Sequence, residues 1–298
     1  MSSGRTRLDN LTARLMHSMT LISVLLTILI GLGLFIKAWP ILSEHSVWEM
    51  LTDEKWRPIK KEFGFYPFVM GTVWVTVLAL LISFPLCLLA SIYISEYASQ
   101  NIKKIVTPLI DLLAGVPPVV YGVWGIIVVV PLVADVIAPH FVDYSTGYSV
   151  LAGGIILAIM IFPLIISILG EVFGAVPQDL RDASLSLGAS KWQTTKLVVV
   201  RRAIPGIIAS VVLALSRALG ETIAVLMVCG NIAVAPHNIF DSCYPLPALI
   251  ANNYGEMMSV PLYDSALMLS ALILFVIIVC FNMISRFALV RLEKRFKL

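Results

Sequence analysis

The hydrophobic pattern along this chain follows the thickness of a bilayer. Uncharged apolar runs of about 20 residues alternate with short charged stretches, and at about 1.5 Å rise per residue each run crosses a hydrocarbon layer of about 30 Å. The pattern predicts six transmembrane helices, at 19–36, 68–94, 112–134, 148–170, 204–232 and 265–285, hence an all-α membrane protein. The fifth is unlike the others, because "SRALGETIAV" at 216–225 puts Arg217 and Glu221 inside it. Uncharged residues extend over 203–216 on one side and 222–240 on the other, so no loop accounts for the pair.

Composition removes the soluble classes. Of 298 residues 59% are hydrophobic and 13% charged, with a mean hydropathy of +0.95, whereas a soluble domain is about 25% charged. Orientation follows from Lys and Arg. Arg5, Arg7 and Arg14 precede the first span; Lys103 and Lys104 follow the second; Arg181, Lys191, Lys196, Arg201 and Arg202 lie between the fourth and fifth; Arg286, Arg291, Lys294, Arg295 and Lys297 end the chain. On the opposite side only the first loop is basic, with Lys37, Lys55, Arg57, Lys60 and Lys61 balanced by acids. Both termini are therefore expected in the cytoplasm. The first span reads as a retained signal anchor, since "LFIKAWP" offers no small-residue cleavage site. The expected organisation is 1–64 for the amino terminus, anchor and external loop, 65–290 for the transmembrane core and 291–298 for a cytoplasmic tail.

No catalytic chemistry is visible. There is no phosphate-loop, zinc-protease or nucleophile-elbow motif, and His17, His45, His140 and His237 lie far apart, so no metal site is expected. The pattern places Cys87, Cys229 and Cys280 in spans and Cys243 alone on the outer side, which predicts no intramolecular disulfide. Two outer loops, 41–61 with Trp48 and Trp56 and 233–264 with several prolines, are long enough to meet a soluble partner or to serve as plain connections. Pro117-Pro118 interrupts a helix that Thr107 caps and Pro108 begins.

Before the fifth span stands "VPQDLRDASLSLGASKWQTTKLVVVRRAIPGI", 176–207. Pro177, Gln178 and Asp179 suit a helix start, and Gly188 suits a left-handed end. A second short helix, capped by Ser190, runs to Val200 before Pro205. The result is a helix-Gly-helix knob on the cytoplasmic face. Within the fifth span, Arg217 falls about 20 Å beyond Ile204, near the bilayer middle, where each charge costs about 2.5–3.5 kcal/mol. At a spacing of four, Arg217 and Glu221 share one helix face, either as a salt bridge holding the bundle or as part of an anion path. A guanidinium fork matches phosphate oxygens, a nearby carboxylate limits trapping, and Gly220 leaves room for close approach.

Asp182-Ala183-Ser184, then Gly188, a hydrophobic patch and Pro205-Gly206-Ile207 resemble the EAA-G signature of ABC-importer permeases. Asp182 stands where the family usually has Glu, and Val200-Arg201 where it usually has Leu-Pro. The stretches 62–76, 112–125, 176–194 and above all "RALGETIAVLMVCGN" at 217–231 resemble the PstC-type subunits of phosphate importers. The resemblance implies a type I ABC importer permease fold whose coupling helix, through Asp182, Ala183, Ser184 and Gly188, contacts an ATPase. It implies a substrate path including Arg217, Gly220, Glu221 and Thr222. It implies residence in the bacterial inner membrane, lipid contact, a homologous PstA-type permease partner, an ATP-binding subunit dimer carrying ATP and Mg, and an external phosphate-binding protein. This chain itself would bind no cofactor and no nucleic acid. A PstA-type sister subunit, a permease for another oxyanion and a secondary anion transporter remain as alternatives.

Overall fold

The computed structural model describes residues 3–256 and 259–296; Lys297 of the basic tail and Met257 and Met258 of the second outer loop lie outside the described residues. Among the described residues, six helices are long and apolar enough to cross a membrane: Thr12–Glu44, Tyr66–Tyr97, Pro118–His140, Val150–Gly174, Lys191–Leu219 and Tyr263–Arg291. Six crossings bring both ends of the chain out on one side.

In chain order, α1 (Ser3–Glu44) is followed by a short α2 (Val47–Thr52) and a small hairpin, β1 (Trp56–Arg57) with β2 (Glu62–Phe63), antiparallel with Trp56 opposite Phe63. Next come α3 (Tyr66–Ile92), which runs on through a wide turn to Tyr97, and α4 (Gln100–Ala114). The third span starts with α5 (Pro118–Trp124) and continues through two wide turns to His140. The fourth is α6 (Val150–Gly174), followed by α7 (Gln178–Ser186) and α8 (Lys191–Thr194). Through the wide turn Thr195–Val200, α8 passes without a stop into α9 (Arg201–Leu219). Two short helices, α10 (Ile223–Val228) and α11 (Leu246–Asn253), precede α12 (Tyr263–Phe296).

Two predicted spans move. The third begins at Pro118, not 112, because Ala114 ends α4 and Pro117 adopts an extended conformation as the cap of α5. Pro108, read as a helix start, instead lies inside α4, whose cap is Ser99, its Oγ accepting from Ile102 N–H at 3.5 Å. The fifth span starts at Lys191 and ends at Leu219, so the knob's second helix is the start of the span itself. Pro205 sits inside that helix, five residues beyond the wide turn. Gly220 then breaks it.

Lipid is as apolar as a leucine side chain, so close contact and not water exclusion holds these helices together. α3 packs along α6 through small residues: a Cβ on Gly154 would lie 2.8 Å from Leu78 Cδ2, and Ala79 and Ala158 are completely buried. The main cluster continues through Ile161, Ile165, Leu169 and Phe173 of α6 towards α9. A second cluster, at the end of the bundle opposite α7, gathers Ile41, Phe65, Phe68, Leu246, Leu249 and Tyr263. Trp56, from the loop long enough to meet a partner or to serve as a plain connection, belongs to this second cluster, its ring 5.0 Å from that of Phe68 and 5.6 Å from that of Phe63. Trp48 remains exposed. Much of the second outer loop is likewise internal, since Cys243 and residues 245–249 are buried.

Candidate functional site

α9 ends at Leu219, two residues after Arg217. Gly220 N–H reaches the Arg217 carbonyl at 3.2 Å and Glu221 N–H that of Ala218 at 3.3 Å, a tightened last turn, and Glu221 and Thr222 belong to neither helix before α10 starts at Ile223. The Thr222 hydroxyl donates to the Gly220 carbonyl at 3.3 Å. Irregular backbone at membrane depth persists only where protein buries it or water reaches it. This chain covers it only in part: Arg217 and Gly220 are exposed, Glu221 and Thr222 half-buried and Ala218 and Leu219 buried. Arg217 lies about 22 Å beyond Arg202 along the helix, two residues before α9 ends.

The expectation of a shared helix face is overturned. Gly220 ends the helix between the two residues, and no ion pair joins Arg217 to Glu221, whereas Arg57 pairs with Glu62 and Arg181 with Glu96. The two charges line different spaces. Glu221 borders a small cavity of about 10 Å³ with Thr72, Thr76, Leu157 and Pro245. Arg217 borders a groove of about 140 Å³ between α4, α6 and α9, together with Asp111, Met160, Pro163 and Ser167. Sequence reasoning missed Asp111 and Ser167. Asp111 had a signal, as the sole charge in residues 105–134; Ser167 had none.

Beyond the end of α6, α7 forms the knob. Pro177 precedes it in extended backbone, the Gln178 side chain donates to the Asp182 carboxylate at 3.0 Å, and Ser186 Oγ donates to the Asp182 carbonyl at 2.8 Å. Gly188 turns the chain with φ of +85°, a left-handed conformation that costs a residue with a Cβ about 1–2 kcal/mol. Ser190 then caps α8 in a reciprocal box with Gln193, at 3.3 and 2.8 Å, and the Ser184 and Thr194 hydroxyls share a 2.9 Å hydrogen bond across the knob. Asp182, Ala183 and Gly188 are exposed and Ser184 half-buried. Leu187, 90% exposed, stands with exposed Leu180 and Leu185 on a surface whose apolar side chains have no cover in this chain.

Arg181, counted in the sequence only as a topological charge, ties the knob to the bundle. Its guanidinium donates to Glu96 at 2.8 and 3.3 Å, to the Phe173 carbonyl at 2.8 Å and to the Val176 carbonyl, with side-chain exposures of 12% for Arg181 and 10% for Glu96. Three elements meet there: the end of the second span, the end of α6 and α7. The separation of 85 residues left no local signal for this pairing. Among the described residues no cluster of His, Cys, Asp and Glu has the makings of a metal site.

Residues 87–298 match the family described as "Binding-protein-dependent transport system inner membrane component". The chain is 38% identical over 241 residues to the probable ABC transporter permease protein YqgH of Bacillus subtilis, covering 80% of this chain and 76% of that one. It is 33% identical over 303 residues to the phosphate transport system permease protein PstC of Mesorhizobium japonicum, covering 96% and 92%. With PstC of Haemophilus influenzae it shares 30% over 305 residues, 98% and 96% of the two chains. In fold it is similar to a chain of a bacterial alginate ABC transporter in complex with its periplasmic protein, with a TM-score of 0.58 at 14% identity over 94% of this chain and 96% of that one. A chain of the inward-facing MetNI methionine ABC transporter aligns with a TM-score of 0.53 at 15% identity, over 76% and 93%.

Proposed function

Since this chain belongs to the family of binding-protein-dependent transport system inner membrane components, we propose that it is the PstC-type permease subunit of an ATP-driven phosphate importer. The observation that carries the proposal is Arg217: a guanidinium about 22 Å along the fifth spanning helix from Arg202, beside a helix break, on a face this chain leaves open. A homologous permease of the PstA type would cover that face, and the two would enclose the path.

In this reading phosphate, delivered by an external binding protein, meets the planar donors of Arg217, which match two phosphate oxygens at once. Asp111 in the same groove lowers the local positive potential, which keeps the site from holding the anion too long for conduction. Glu221 lies apart and acts on the helix break rather than on the guanidinium. A separate ATPase dimer seats the exposed leucines of α7 and drives the knob. Because Arg181 and Glu96 fasten α7 to the ends of α3 and α6, knob movement is transmitted to the spans lining the path. Positive-inside asymmetry puts α7 and both termini in the cytoplasm.

The test is phosphate uptake by the full four-component complex in liposomes. Arg217→Gln should abolish ATP-driven uptake while the complex still assembles, and Arg217→Lys should lose most of it, because a point charge does not reproduce the fork. Because Glu221 lines a different cavity, Glu221→Gln should not rescue Arg217→Gln. Uptake by Arg217→Gln at the unmodified rate, or rescue by the second change, would overturn the reading.

A further inference from the structure

We infer that Cys229 and Cys243 form a disulfide in the mature protein, closing residues 230–242 into a covalent ring at the outer end of the broken fifth span. The inference rests on the orientation proposed above, in which this end faces the oxidising exterior. Sequence reading had placed Cys229 inside a span and Cys243 alone. The break at Gly220 instead ends the spanning helix early, and α10 delivers Cys229 to the level of the first turn of α6, where Ser149 N–H donates to the Val228 carbonyl at 3.2 Å.

There the chain turns sharply through Gly230, φ +85°, and Asn231, φ +55°, and comes back past itself. Cys243 N–H donates to the Cys229 carbonyl at 2.9 Å and Asn231 N–H donates to the Cys243 carbonyl at 3.1 Å, which sets the two cysteines side by side. Both cysteines have zero exposure, packed among α3, α6 and the loop. The remaining cysteines do not compete, since Cys87 and Cys280 lie within the second and sixth spans. Residues 229–262 contain no Lys or Arg, as expected of a segment passed to the outer side.

The reaction needs a disulfide donor, and a thiol–disulfide oxidoreductase of the extracytoplasmic space is the class that supplies it. One cysteine thiolate attacks the donor disulfide, forming a mixed disulfide and releasing one donor thiolate. The second cysteine then displaces the other donor sulfur, so two thiols lose two protons and two electrons and the donor leaves as a dithiol. Neither sulfur is reachable once the loop has packed, so exchange precedes the docking of α10 and α11. The bond then fixes the end of α10 to the entry of α11, which rests on α3 and α12, and so anchors the outer half of the broken span.

The test is thiol counting on full-length protein taken from membranes of cells with an intact oxidative pathway, alkylated at lysis and then denatured. Without reductant, Cys87 and Cys280 alone should be alkylated, and a digest should contain a linked peptide joining Cys229 to Cys243. After reduction all four should react. In Cys243→Ser, Cys229 should become reactive without reductant. Alkylation of all four cysteines without reductant overturns the inference. Labelling of an outer-loop Tyr144→Cys variant in sealed cells separates the causes. If Tyr144→Cys reacts from outside while all four native thiols are free, the disulfide fails and the orientation stands. If it reacts only after permeabilisation, both fail.

Discussion

Arg217 and Arg181 are held in opposite ways. Arg217 stands exposed beside a helix break with no carboxylate in ion-pair reach among the described residues, a setting that suits a mobile counter-anion. Arg181 is nearly buried and fully engaged by Glu96 and two carbonyls. Taking away one partner of such a pair leaves an uncompensated charge, so Arg181→Ala should destabilise the subunit by about 3–5 kcal/mol. The double change Arg181→Met with Glu96→Gln should recover much of that loss. Denaturant unfolding in mixed micelles measures both. A single-mutant loss below about 1 kcal/mol would show that the pair does not anchor the knob.

At the scale of the element, the knob is two helices held at an angle by a left-handed residue. A Cβ at Gly188 would touch nothing within 4 Å, so the cost of substitution is conformational and not steric crowding. Gly188→Val should therefore leave membrane insertion intact and re-aim Leu187 and α7, uncoupling ATP hydrolysis from phosphate uptake. Hydrolysis and uptake are measured together on the reconstituted complex. Unchanged coupling in Gly188→Val would remove the knob from the drive train.

Over the whole molecule, six spans give α7 and both termini one side and α11 the other. Tyr144, 83% exposed before α6, and Ser190, exposed at the knob, mark the two faces. In sealed cells Tyr144→Cys should react with a membrane-impermeant thiol reagent, and Ser190→Cys only after permeabilisation. Cys243, the natural choice from the sequence, is unsuited because it has no exposure. The reverse labelling pattern would invert the orientation and with it the assignment of α7 to an ATPase.

Six spans, the knob with Gly188 and the charged fifth segment were all legible in the residues, because bilayer thickness, capping chemistry and the cost of a mid-membrane charge are local constraints. A run of uncharged residues must be a span wherever it ends up, and a glycine after a short helix end turns left-handed from its own backbone freedom. The limits of the third and fifth spans were not legible, since prolines and Gly220 break or permit helix according to what packs around them. The partners were not legible either. Arg181 meets Glu96 across 85 residues, Arg217 shares its groove with Asp111 instead of Glu221, and Cys229 comes to Cys243 only because the helix stops early. Those pairings follow from how α3, α4, α6 and α9 pack and from where the fifth span breaks, and packing is a property of several segments at once that no single stretch of the chain contains.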